Sequence, residues 1–152
     1  MSYLLRTILD PAHRRALFDR LEHLDPKQPP LWGRMSASSM LAHLCDQMRM
    51  PFNETPSSRI PGVPRNMILR QLILYFLPWP KDTIQGPPEA FHTMPGDWSE
   101  DLARLRNLVD QFVNASPDRP WPDQPNFGRM SRRDWGVFCY RHLDHHLRQF
   151  GV

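Results

Sequence analysis

Cysteine, lysine and glycine are all scarce in this 152-residue chain, and each shortage excludes something. Two cysteines, Cys45 and Cys139, are too few for a disulfide framework. Both fall in apolar stretches, which predicts buried thiols in a reducing setting. Seven glycines are spread along the chain and none forms a phosphate-cradling loop. Lysine occurs only at Lys27 and Lys81, so the formal charge of +3 comes from arginines. These alternate with acids, as Arg15, Arg20, Arg104 and Arg106 do with Asp19, Glu22, Asp101 and Asp110. No basic run interleaves with aromatics, which argues against a nucleic-acid partner. Long apolar runs are missing too: Met67–Leu77 is interrupted by Arg70 and Gln71 and is too short to span a membrane. The opening residues Met1-Ser2-Tyr3-Leu4-Leu5-Arg6 lack the apolar centre of a signal peptide, so a cytoplasmic location is expected. No stretch shows the period-two alternation of a half-buried strand.

Proline, by contrast, is abundant, with 17 residues, and its placement outlines the fold. Pro breaks a helix interior but suits a first turn. The proline-free windows 12–25, 31–50, 65–77, 96–116 and 126–152 are therefore where helices can form. Start signals accompany them. Asp10-Pro11 opens the first, Ser36 the second and Pro64 the very apolar third. Asp97 with Glu100, and Ser131 with Asp134, have capping-box spacing before the last two, and Gly151 sits where a C-cap glycine belongs. Long Pro-rich connections cover 51–63, 78–96 and 115–130. The expectation is an all-α, single-domain bundle over 1–152 with about five helices and long crossovers.

Three of the seven histidines crowd into the last helix, at His142, His145 and His146. With about 100° per residue, His146 lies about 40° from His142, on the face of Trp135, Phe138 and Gln149. His145 falls about 60° to the other side, and Asp144 points nearly opposite, towards solvent. An i, i+4 pair of imidazoles is half of an interhelical metal site. It is also what an amphipathic helix end looks like, since histidines suit the negative end of the macrodipole. Both readings stand at this level. His43 shares a face of the second window with Met40, Gln47 and Met50, where a lone histidine is usually a hydrogen-bonded core residue. Cys45 points away from His43, and Cys139 reads as core. His13, His23 and His92 read as surface residues. Asp46, at i+3 from His43, is a candidate general base, though an exposed helix charge is the commoner role for such a residue. Ser36, Ser38 and Ser39 lack a glycine elbow and read as caps. The tryptophans are packing anchors, with Trp79 and Trp121 placed in loops that could line a pocket mouth.

The stretch Leu31-Trp32-Gly33-Arg34-Met35-Ser36 leading to Met40-Leu41-Ala42-His43, with the ending from Phe127-Gly128-Arg129-Met130-Ser131 through His142, His145, His146 and Gln149, resembles the DinB/YfiT-like superfamily. Within it, the nearest likeness is to a bacterial subfamily without an assigned function. The resemblance covers most of the chain, and the terminal His-x-x-x-His-x-x-Gln is its most specific part. It implies a four-helix bundle in an up-down-down-up arrangement, with His43, His142 and His146 closing on one divalent metal, zinc or nickel. Members include thiol-dependent transferases and isomerases, and others carried only as candidate metal-dependent hydrolases. One departure is visible: relatives often have His-Pro before the Phe-Gly turn, where this chain has Gln124-Pro125.

The function expected is therefore metal-dependent hydrolysis or thiol transfer on a small molecule, with a low-molecular-weight thiol as one candidate. The substrate would lie under the loops Pro78–Pro95 and Pro117–Pro125. Gln47 and Gln149 are candidates to orient groups at the metal, and His145 to carry a proton. The competing expectation is a non-catalytic metal-binding or dimerising bundle. The apolar segment 65–77 motivates it, since that segment could cover a second copy of the chain as well as its own core, the latter being the commoner outcome.

Overall fold

Each proline-free window holds one α-helix in the computed structural model, which describes residues 6–56, 58–62, 66–81 and 88–152. They are α1 (Pro11–His23), α2 (Ala37–Arg49), α3 (Met67–Tyr75), α4 (Trp98–Asn114) and α5 (Arg132–Gln149). Short 3-10 turns at Met50–Phe52 and Pro88–Phe91 complete the helical structure. Among the described residues there is no strand, only an isolated bridge between Gln124 and Gly128. No described helix is long and apolar enough to cross a membrane.

The start signals act largely as their chemistry dictates. The Asp10 carboxylate accepts from the Ala12 and His13 amides, and Ser36 Oγ accepts from Ser39. Ser131 and Asp134 form a reciprocal capping box. Gly151, at φ 75°, closes α5 with Val152 N–H donating to Leu147 and Gly151 N–H to Arg148. Two expectations need correction. Asp97 caps α4, but it is Asp101 rather than Glu100 that reaches back, accepting from Gly96 N–H at 2.8 Å. The cap of α3 is Asn66, accepting from Leu69 N–H; Pro64 lies outside the described residues.

Contacts between helices set their directions. α1 runs parallel to α5, since Ile8 donates to Gly136 O while Arg20 meets Asp144 and Val152. α2 runs antiparallel to α5, with His43 opposite His142 and Gln47 opposite Cys139. α4 lies parallel to α2: Cys45 approaches Asp101, while Phe52 and Phe112 share Trp121 at the far end. The order is up-down-down-up for α1, α2, α4 and α5. Asp144 consequently faces α1, pairing with Arg20 and Arg148, and is not the solvent-facing charge that the helical angles suggested.

The buried cluster runs from Ile8 to Phe150 and draws on Leu17, Met40, Leu44, Leu105, Phe112, Trp135 and Leu147. α3 stands outside the four. It buries only Leu74, while Met67 and Ile68 are 69% and 73% exposed and Phe76 is also open. The commoner expectation, that this segment fills its own core, does not hold. α3 instead hangs on α5 through polar contacts: Arg141 donates to the Ile73, Leu74 and Leu77 carbonyls, and Tyr75 hydrogen-bonds Asp134.

Candidate metal centre

The antiparallel seam between α2 and α5 brings His43 and the His142–His146 pair to one place. Their ligand nitrogens all lie within 4.8 Å of one another, and no other such group of His, Cys, Asp and Glu occurs among the described residues. His43 and His146 are buried, and His142 is half-buried.

Hydrogen bonds fix which nitrogen of two rings carries the proton. His43 Nδ1 lies 2.5 Å from the Ala90 carbonyl, which can only accept, so Nδ1 must donate. His146 Nδ1 lies 2.8 Å from Gln149 Oε1. The orientation of that amide is set in turn, because Gln149 Nε2 donates to the Trp32 carbonyl at 2.9 Å. Both histidines therefore present a bare Nε2. His43 Nε2 faces His142 Nε2 at 2.9 Å, and His142 Nδ1 is buried with no hydrogen-bond partner. Without a cation between them, His142 must carry its proton on Nε2 and donate it to His43, because two lone pairs repel at that distance.

Burial pushes all three imidazoles below their ordinary range, His142 well below and His146 to about 3. They are thus neutral at neutral pH, the form that ligates a metal. A tetrahedral ion with Zn–N bonds of about 2.1 Å separates its ligand nitrogens by about 3.4 Å. The 2.9 Å pair lies a few tenths of an ångström inside that spacing, and all three nitrogens lie within 4.8 Å. The donor set, its neutrality and the two fixed tautomers fit a divalent transition metal.

Around the cluster lies an aromatic rim. Phe91, 45% exposed, stacks on His43 with centroids 4.6 Å apart. Trp79 meets the rings of both His142 and His145, and Trp32 meets His145. Burial lowers the His145 pKa as well. His145 sits beside the cluster without joining it, as the helical angles indicated.

The other candidates separate cleanly. Gln149 orients His146. Gln47 makes no hydrogen bond to a histidine: its amide donates to Cys139 Sγ at 3.4 Å, and its buried Oε1 has no partner. Asp46 is not an exposed charge but 2% accessible, held by Arg49 and Thr93. Trp121 does not line this site; it packs between Phe52 and Phe112 at the C-terminal ends of α2 and α4. At the departing position, Gln124 is buried and its Oε1 accepts from the Asn126 and Phe127 amides, so it shapes the turn. The carbonyls of Ala90 and Trp32 went unforeseen, because a backbone acceptor leaves no mark on residue type.

A helical bundle whose core carries three neutral, inward-facing imidazoles defines the class: an all-α protein with a candidate metal centre. The chain belongs to the DinB superfamily, whose family model matches residues 11–150. Comparison with curated proteins and with solved structures gives no match.

Proposed function

We propose that this protein is a metal-dependent enzyme in which His43, His142 and His146 hold one divalent transition metal, zinc or nickel. The observation that carries this reading is the convergence of the three imidazoles, with the proton positions of His43 and His146 set from outside. Bound there, the ion would leave a coordination position open, able to lower the pKa of a water or hold a thiolate. The reaction class is hydrolysis, or transfer of a small cellular thiol, on a small molecule admitted past Trp32, Trp79 and Phe91. His145, lying between the Trp32 and Trp79 rings, is the group placed to carry a proton. Asp46 is held by Arg49 and Thr93 and is not free to act as the base. The two buried free thiols, Cys45 and Cys139, agree with a reducing, cytoplasmic setting.

Metal analysis of tag-free protein tests this. One equivalent per chain is expected, lost in His146→Ala and kept in His145→Ala, with the latter lowering turnover in hydrolase and thiol-transfer assays. Substoichiometric metal under every supplement would overturn the site. Retention in His146→Ala with loss in His145→Ala would reassign the ligand.

The open face of α3 favours a second, compatible reading, association with a second copy of this chain. Apart from Gln71, its exposed side chains, Met67, Ile68, Leu72 and Phe76, are apolar. A two-fold interface sets one patch against itself, which suits a face without charge of either sign. Light scattering should show a dimer that Ile68→Lys dissociates; a monomer at high concentration would end this reading.

A further inference from the structure

We infer that Asp46 is a positioning residue for the metal centre: it latches the segment 88–93 onto α2 so that the Ala90 carbonyl holds the proton of His43 on Nδ1. The inference rests on the metal reading above and concerns a residue that stands outside the three ligands.

Asp46 follows His43 by three positions, so α2 presents both side chains to the same crossing segment. The two ends of that segment are then held differently. At one end, Ala90 O accepts from His43 Nδ1 at 2.5 Å, and Phe91 stacks on the same ring. At the other, Thr93 N–H donates to Asp46 Oδ2 at 2.9 Å, and Thr93 Oγ1 donates to Oδ1 at 2.5 Å. Arg49 completes the set on Oδ1 at 2.9 Å. A carboxylate this deeply buried needs such bonds to offset its lost hydration. Two of the three go to one residue of a connecting segment rather than to the bundle.

From 90 to 94 only Ala90 is buried; Phe91, His92 and Met94 are exposed. Apolar burial holds this stretch at Ala90, and the paired bonds from Thr93 to Asp46 give it a second anchor that orients the Ala90 carbonyl. If that carbonyl moves away, Nδ1 loses its acceptor. His43 can then carry its proton on Nε2, the nitrogen that must be bare to ligate. Groups that hydrogen-bond a ligating histidine typically change metal affinity by about 10–100-fold, and a group acting one step further out falls near the lower end.

The test compares wild type with Asp46→Asn, Thr93→Val and Thr93→Ser. Zinc affinity is read by competition with a chromophoric chelator. The tautomer of His43 is read in the metal-free protein by long-range nitrogen-15 NMR. Thr93→Val and Asp46→Asn should weaken zinc binding by about ten-fold and shift His43 from the Nδ1–H towards the Nε2–H form. Thr93→Ser, which keeps the hydroxyl, should retain both readouts. Should Asp46→Asn fail to fold, Thr93→Val, outside any helix, still decides. Unchanged affinity and tautomer in Thr93→Val, even with lowered stability, would overturn the latch. Wild type that binds neither zinc nor nickel would sink the metal reading, while the NMR arm would still decide whether Asp46 sets the His43 proton.

Discussion

A histidine ring offers a metal only the nitrogen its neighbours leave bare, so the decisive facts at the residue scale are the groups behind the ring. Ala90 O and Gln149 Oε1 take the Nδ1 protons of His43 and His146. His142 has no such partner, and its proton is placed by elimination on Nε2, against His43 Nε2 at 2.9 Å. Nitrogen-15 NMR of the metal-free protein should therefore find His43 and His146 as Nδ1–H tautomers and His142 as Nε2–H. Adding zinc should move the His142 proton off Nε2. A metal-free spectrum with His142 already in the Nδ1–H form would contradict this assignment. Gln149→Leu removes the acceptor behind His146 and the donor to Trp32 O together. Zinc affinity should fall about 10–100-fold, as for other outer partners of ligating histidines. Chelator competition gives the number, and an affinity equal to wild type would show that His146 needs no outside orientation.

At the scale of elements, the close approach to α5 of the segment leading into α1 turns on one glycine. A Cβ at Gly136 would come within 2.5 Å of Thr7 Oγ1 and 3.1 Å of the Leu9 side chain. Thr7 is not free to yield, because its Oγ1 accepts from Leu9 N–H while the adjacent Ile8 N–H donates to Gly136 O. Alanine gains about 1 kcal/mol in helix propensity, whereas overpacking costs about 1–3 kcal/mol. With a rigid β-branched neighbour the clash should prevail, so Gly136→Ala is expected to destabilise the fold by about 1 kcal/mol, read as a lowered urea midpoint. A raised midpoint would mean that α1 can slide. Such contacts show why the sequence is legible in some places and not in others. Asp10, Ser36, Ser131 and Gly151 cap by local geometry, and the proline windows follow from the same backbone rules, so the helices could be read directly. The facing of His142 and His146 followed from helical angles alone, and the likeness to the DinB/YfiT-like superfamily brought His43 to them. The burial of Asp46, the open face of α3 and the roles of the Ala90 and Trp32 carbonyls depend on which segments cross, and residue type does not encode that.

For the whole molecule, the cluster places three neutral imidazoles inside a fold whose unfolded chain exposes ordinary ones. The folded pKa values lie below the unfolded value of about 6.5, with burial as the main cause for all three and His146 at about 3. Above pH 6.5 both states are neutral, and the histidines leave stability flat. As pH falls below it, the unfolded chain takes up protons that the folded one refuses, so stability is lost. His43, His142 and His146 together set the slope. Each contributes at most about 1.4 kcal/mol per pH unit, so the three contribute at most about 4. Carboxylates act in a lower window. Burial raises the pKa of Asp134, but the bonds from Tyr75 and Ser131 outweigh it and leave the net value lowered. Its contribution is present above about pH 3.8 and is lost only as pH falls through its folded value. Between about pH 4 and 6.5 the histidines therefore dominate. Urea midpoints of chelator-treated protein should be level from about pH 8 to 7 and then fall steadily to about pH 5. With zinc bound, protons must displace the ion before the rings can charge, so the fall should begin at a lower pH and coincide with zinc release. A metal-free profile that stays level to pH 5 would mean that the cluster is hydrated, with its histidines titrating like those of the unfolded chain.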